Sequence, residues 1–405
     1  MSGVSVEPGT FLARFAFQGT ADDARTLLTE IAGTVVTVIA LVLGLTVVAL
    51  QLSSTQFSPR LLRNFLRDRG TQAVLSVFIA TFVYSAAGLF TVGVERGART
   101  EEYPRLAVSG AILLLFASLG AVVYFADHLV HSIQIDAITR LVERNTRRAL
   151  ARQTRMNVSD APPPAPGWAI TISARKTGYV QTIHPELLLP LATRQGVTIC
   201  LRPWVGQHVV AGTKLGWVWA ASPNDEPPDR HTFEVAVNSD VRIGFERTLE
   251  QDVAFGIRQL IDIASKALSA AINDPYTAVQ AIDHMAPVCA DLTVLPLGTS
   301  TLTDRSGRGA VIVPANTFGD YIFFISGLVG RYGAKDLTVL MALLRLLRTC
   351  ASVLPRESDR LDILHQATQQ ILDDAERETT RPADIEAIRT SVESLQHLLR
   401  TDQGL

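Results

Sequence analysis

Three stretches before residue 130 carry no charged side chain: Ile31 to Leu52, Thr71 to Val94 and Leu106 to Ala126. Each matches the roughly 20 residues that a helix rising 1.5 Å per residue needs to cross the hydrocarbon core of a bilayer. Charge bounds them: Arg69 precedes the second, Glu95 and Arg96 follow it, and Arg105 and Asp127 flank the third. Lipid tolerates a backbone only when its own polar groups are satisfied, so each stretch is expected to span as a helix. The mean hydropathy of the 405-residue chain is +0.22, with the apolar excess concentrated in these stretches. A chain of this length also exceeds one ordinary core. The expected fold class is therefore an α-helical transmembrane bundle followed by an α+β soluble domain.

A formal net charge of −2 gives no electrostatic footprint for nucleic acid, and no such partner is expected. Cys200, Cys289 and Cys350 form no CxxC pair, which points to a reducing compartment rather than a zinc knuckle or a redox motif. The N-terminal residues, with Glu7 and no basic-then-apolar run, do not read as a signal peptide.

Arginines set the expected orientation. The connection after the first stretch contains Arg60, Arg63, Arg67 and Arg69, and the segment after the third contains Arg140, Arg144, Arg147, Arg148, Arg152 and Arg155. Cytoplasmic loops carry the excess of basic residues, which puts both segments, and everything after residue 127, on the cytoplasmic side. Within the first connection Ser58 reads as an N-cap, Pro59 as a first helical residue and Gly70 as a helix stop. Leu61, Leu62, Phe65 and Leu66 make one face of that helix and the arginines another, the pattern of a helix at the headgroup boundary. Arg60, Arg63, Arg67 and Arg69 are candidate contacts to lipid headgroups, or to anions gathered at a vestibule.

In the first stretch Gly33, Thr37, Ala40 and Gly44 recur at helical spacing, and in the second Thr81, Ser85 and Gly88 do the same. Small side chains on one face let backbones approach closely in lipid, so these are candidate helix-packing faces, with a hydroxyl-lined pore face as the sharper alternative. No ionisable side chain lies inside a stretch, which argues against a proton-coupled pump and leaves a passive channel open.

Behind the stretches, a helical continuation is expected from Asp127 to about Arg155, then a proline-rich linker from Ala161 to Pro166. Short β-rich runs follow at Trp168 to Ala174, Tyr179 to His184, Val197 to Leu201, Trp217 to Ala220 and Phe233 to Phe245. Gly178 to Ile183 and Pro203 to Leu215 look like the two halves of a barrel-sandwich unit of the biotinyl and lipoyl class. Lys214 falls in a strand-entry turn rather than at a hairpin tip, so no cofactor is expected. From Glu246 the apolar residues recur at three and four, an amphipathic helix whose polar face bears Arg247, Asp252, Arg258 and Asp262 as solvated charge. Asp274 is placed to cap the next helix, with Pro275 as its first residue. Further helices are expected over 317–350, 358–376 and 382–399, the run from Tyr321 to Val329 being too short for a fourth span. The expected organisation is 1–126 transmembrane, 127–160 helical extension and linker start, 161–245 β-rich and 246–405 helical.

Catalytic and metal signatures are sparse. Asp127, His128 and His131 can share a helix end, but without further ligands they read as polar residues finishing a membrane helix, and no metal is expected. No phosphate loop, GxSxG elbow or HExxH is present, and an enzyme is not expected.

The segments Gln51 to Arg69, Gln251 to Ala264 and Ala267 to Ala278 resemble a bacterial family of predicted membrane proteins, domain of unknown function 2254, and the resemblance covers most of the chain. It marks Gln251, Asp252, Arg258, Asn273, Asp274 and Pro275 as a candidate structural motif of the soluble domain, and it implies no particular activity. Members of that family usually carry one further apolar helix ahead of the first one here. The reading that follows is an oligomeric, channel-like or pore-like protein of the inner membrane with a cytoplasmic assembly or gating domain. Its expected partners are the lipid bilayer, further copies of itself and an unidentified ligand or ion. A membrane-anchored interaction or scaffold protein without transport activity is the alternative.

Overall fold

The computed structural model describes residues 17–56, 69–92, 103, 105–132, 135–152, 157–159, 161–355 and 358–401. The chain divides into two compact units, Met1–Ala137 and Ile138–Leu405.

The first unit holds α1 (Ala21–Gln56), α2 (Arg69–Thr91) and α3 (Arg105–Ser132), all three long and apolar enough to cross a membrane. α1 starts at Ala21, ahead of the uncharged stretch, because Thr20 and Asp23 cap it reciprocally. The Asp23 N–H donates to Thr20 Oγ1 (3.2 Å) and the Thr20 N–H to Asp23 Oδ2 (2.8 Å). Leu28, Ile31, Val35 and Val42 of α1 pack with Val74 and Phe78 of α2 and with Val108, Ala111 and Phe125 of α3. The outer faces leave Leu41, Val47, Phe90, Leu113 and Phe116 exposed. So much uncovered apolar surface suits lipid rather than water. Gly70 is the second residue of α2, not a helix stop. Its missing side chain makes room for α3, since a Cβ there would stand 2.6 Å from His128 Nε2.

The helix α4 (Ile135–Ala151) leads into the second unit, where the strands are β1 (Asn157–Ser159), β2 (Ile170–Ser173), β3 (Gly178–Ile183), β4 (Val197–Leu201), β5 (His208–Val209), β6 (Lys214–Ala220), β7 (Val241–Gly244), β8 (Thr299–Thr303) and β9 (Ala310–Val313). They form a six-stranded sheet in the order β1-β8-β9-β4-β6-β2 and a three-stranded sheet in the order β5-β3-β7. Among the described residues only the β4–β9 pair is parallel, Ile199 lying opposite Val311. Among the described residues neither sheet closes. The two halves read as a barrel-sandwich meet only in part: β5 of the second pairs with β3 of the first in the small sheet, while the end of the second enters β6 of the large sheet, which β8 and β9 extend with residues from beyond 245.

Two helices lie where none was expected. Of Phe233 to Phe245, expected as one or two strands, only Val241–Gly244 is a strand, β7, and the part before it belongs to α6 (Arg230–Asp240). Asp229 starts α6 by accepting the Thr232 N–H at 3.0 Å, and Phe233 and Val237, one turn apart, enter the core. α5 (Pro185–Gln195) has Pro185 in its first turn, buries Leu188 and Ala192, and ends at Gly196, whose φ of +63° is the left-handed cap that glycine favours. Both helices join the core of Ile172, Val180, Ile199, Leu215, Val218 and Val311.

The chain then turns helical: α7 (Val253–Ala267), α8 (Pro275–Val294), α9 (Phe318–Gly333), α10 (Leu337–Val353), α11 (Arg360–Glu378) and α12 (Pro382–Thr401). α9 opens with a Thr317–Asp320 capping box and buries Ile322, Ile325 and Val329, so the short apolar run serves the core of this unit.

Candidate functional site

The signature residues Gln251 and Asp252 stand where the small sheet meets the start of α7. Gln251 imitates a strand, its Oε1 accepting the Ile183 N–H (3.0 Å) and its Nε2 donating to the Ile183 carbonyl (3.3 Å). Asp252 is the N-cap of α7, accepting the Phe255 N–H at 2.9 Å, and it takes a two-pronged bond from Arg247, Nε to Oδ2 and Nη2 to Oδ1, both 2.8 Å. At 2% exposure Asp252 is not the solvated charge that the helical pattern implied, because α7 begins at Val253 and turns its first residue inward. Burial pushes its carboxyl pKa upward, against the opposing pull of Arg247. The Arg247 guanidinium also lies 5.1 Å from the centre of the Phe255 ring. Gly206 makes this packing possible: its φ is +94°, and a Cβ there would stand 2.3 Å from Asp252 Oδ2.

Gln251 and Asp252 border a cavity of about 350 Å³, within the range of small-molecule sites. Its wall is mixed. Val205, Leu297, Val313 and Pro314 supply apolar surface, Trp204 is half exposed, and His184, Glu186, Gln251, Asn316 and Tyr321 supply polar groups. His184 Nδ1 lies 3.0 Å from Glu186 Oε1. Burial drives the Tyr321 phenol above its ordinary range, against the opposing influence of the Asn316 side chain. Such paired groups can hold and orient a ligand.

The other sequence candidates scatter. Arg258 pairs with Asp262 one turn on, Nε to Oδ1 2.7 Å. Asn273 takes a left-handed φ of +50°, Asp274 accepts the Thr277 N–H at 3.1 Å and Pro275 opens α8, so this motif is a helix-starting device. It presents Ile272 and Tyr276 to solvent. On α1, Gly33, Thr37, Ala40 and Gly44 all point away from α2 and α3, and a Cβ added at either glycine would meet nothing within 4 Å. On α2 the outcome is opposite: Thr81 and Ser85 are fully buried, and a Cβ at Gly88 would press on Leu28 Cδ1 at 3.0 Å. Arg60, Arg63 and Arg67 lie outside the described residues, and Arg69 is the first residue of α2. Among the described residues no group of three or more His, Cys, Asp or Glu could hold a metal ion; His128 stacks on Tyr124, and His131 lies 3.3 Å from Asp127.

Sequence reasoning missed two features. Cys289 of α8 and Cys350 of α10 are both buried, and the neighbouring Cys350 thiol, with burial, lifts the Cys289 thiol well above its ordinary pKa. Arg360, at the start of α11, donates to the carbonyls of Leu292 (2.9 Å), Thr293 (2.6 Å) and Leu295 (2.7 Å), satisfying the C-terminus of α8. Neither spacing carries a local signal; a lone arginine after a proline-containing loop looks like any surface charge.

The sequence model of the family described as "Predicted membrane protein (DUF2254)" matches residues 3–349. An uncharacterized protein of Mycobacterium bovis and uncharacterized proteins from two strains of Mycobacterium tuberculosis are each 40% identical to this chain over 356 residues, which cover 87% of it and 68% of each relative. No solved structure matches it.

Proposed function

From the premise that the chain belongs to the family described as Predicted membrane protein (DUF2254), we propose that it is a self-assembling, channel-like protein of the bacterial inner membrane. The α+β unit would be its cytoplasmic platform for assembly or gating. The observation that carries this reading is the bare face of α1, where Gly33, Thr37, Ala40 and Gly44 have no neighbour from α2 or α3. A face of small residues lets a second helix come close in lipid, and a closed ring of copies is the usual way such contacts are satisfied. Thr37 would then be the hydroxyl at the contact, its Oγ1 already donating to the Gly33 carbonyl at 3.1 Å. The cavity beside Gln251 and Asp252 gives the soluble platform a place for a ligand to act. The cytoplasmic placement rests on the arginines that follow the first and third apolar stretches.

Full-length protein carrying Ala40→Cys tests the assembly, since Cys200, Cys289 and Cys350 are buried and give little background. Bismaleimide should link copies in native membranes, and the unmodified protein should pass salt across liposomes. A monomer that neither links nor conducts overturns the proposal. A defined oligomer without flux, cross-linked in cells to a distinct soluble protein, would favour the membrane-anchored scaffold instead. A Gly97→Cys variant labelled by an impermeant reagent in intact cells would support the orientation; protection there with labelling at Arg148→Cys would reverse it.

A further inference from the structure

On α4, Arg140, Arg144 and Arg148 recur at every fourth residue, and all three are exposed. With Arg147, Glu143 and Asp291 they line an open groove of about 530 Å³. Both carboxylates of that groove are already engaged. Arg147 Nε donates to Asp291 Oδ2 at 2.6 Å and Arg147 Nη1 lies 3.7 Å from Glu143, whose other oxygen is 2.7 Å from His284 Nδ1. Among the described residues Arg140, Arg144 and Arg148 have no hydrogen-bonding or ion-pair partner. Three adjacent unpaired guanidiniums repel one another, and an anion relieves them.

The opposite face of α4 decides which kind of contact is open to the helix. Ile138, Val142, Thr146, Ala149 and Leu150 are buried in the soluble unit. The fit against α7 is tight: a Cβ at Gly256 would stand 1.9 Å from Thr146 Oγ1. The helix therefore cannot roll its apolar side into lipid as a free amphipathic helix does, and only its guanidiniums are available. Two residues of chain separate the end of α3 at Ser132 from the start of α4 at Ile135, which confines that start to about 10 Å from the end of the third apolar helix.

We propose that the row Arg140, Arg144 and Arg148 binds the phosphates of anionic phospholipids in the leaflet where the third apolar helix ends. A guanidinium matches a phosphate with two parallel N–H donors, and basic clusters next to a membrane helix concentrate anionic lipid by about fivefold per residue. This contact does not depend on self-assembly.

The test uses full-length protein with a fluorophore on Ala151→Cys, which lines the same groove, in nanodiscs of phosphatidylcholine containing a headgroup-quencher lipid. Quenching should rise as phosphatidylglycerol is added and fall when salt goes from roughly 0.1 M to 1 M, as the screening length shortens. The triple variant Arg140→Gln, Arg144→Gln, Arg148→Gln should lose about a hundredfold in anionic-lipid preference, flattening the response. The corresponding triple lysine variant should keep most of it, which separates charge from folding. A wild-type response indifferent to phosphatidylglycerol, or a glutamine variant that follows wild type, overturns the proposal. So does a free-anion site, revealed if inorganic phosphate alone shifts the label in pure phosphatidylcholine and abolishes the phosphatidylglycerol response.

Discussion

The two units of this chain treat buried polar groups differently. In the apolar helices most hydroxyls bond back to their own helix, as Thr46 does to the Val42 carbonyl (2.7 Å) and Thr81 to that of Val77 (2.8 Å). A link between helices is the hydroxyl pair Thr81 and Ser118, 2.8 Å apart. In the second unit hydroxyls also bond back to their own helix, as Thr146 does to the Val142 carbonyl (2.7 Å), but charged groups take part as well: buried Asp252 pairs with Arg247 five residues earlier, and half-buried Arg360 reaches the end of α8. The difference follows from the surroundings. Helix backbones in lipid are self-satisfied, so small hydroxyls and close packing suffice. A unit of mixed strands and helices has many chain ends to satisfy, and charged groups do this with the greatest penalty for their removal.

That contrast is broken most directly at Asp252. Asp252→Ala should destabilise the second unit by about 3 kcal/mol, toward the low end for a broken buried pair because Arg247 still reaches water. Urea unfolding followed by tryptophan fluorescence reads this unit alone, since Trp168, Trp204, Trp217 and Trp219 all lie in it. A loss under about 1 kcal/mol would mean that Asp252 behaves as an ordinary surface charge. Next in size is Arg360→Met, which leaves three carbonyls at the end of α8 unpaired and should cost about 2 kcal/mol, with Arg360→Lys restoring part. Equal stability of the methionine variant would show that water replaces the guanidinium.

What could be read from the sequence follows the same division. Uncharged runs such as Leu106 to Ala126 identify membrane helices by length alone, because the bilayer sets one rule for every residue in them. Asp274-Pro275 was legible as a helix start because capping is local chemistry. The cavity was not legible: it draws Ile183, Trp204, Asp252, Leu297 and Tyr321 from five separate places in the chain. Asp252 itself misled, since a helical period cannot tell a cap turned inward from a charge turned outward. The strands β8 and β9 escaped notice because four or five residues between helices give too short a pattern, and only the pairing of β9 with β4 and of β8 with β9 fixes them.

On the membrane side the expected effects shrink. Thr81→Val and Ser118→Ala, taken through a double-mutant cycle, should show a coupling of about 0.6 kcal/mol in detergent-induced unfolding, the usual worth of one interhelical hydroxyl bond in lipid. A coupling above about 2 kcal/mol would place these hydroxyls with the charged staples of the second unit and erase the contrast.

The smallest effect on folding is expected at α1, and it sharpens the comparison within the membrane unit itself. Its small-residue face and that of α2 have the same spacing, yet Gly88 is pressed by Leu28 while Gly33 and Gly44 face open space. Bulk decides which face is used inside the unit, because Leu28, Ile31 and Val35 fill the groove between α2 and α3 and turn the glycines outward. Gly33→Leu with Gly44→Leu should therefore leave the stability of the three-helix unit within about 0.5 kcal/mol of wild type. The same pair should abolish cross-linking through Ala40→Cys if the outward face meets another copy. Unfolding of the unit would show that α1 is rotated from its described position; intact cross-linking would show that the face meets only lipid.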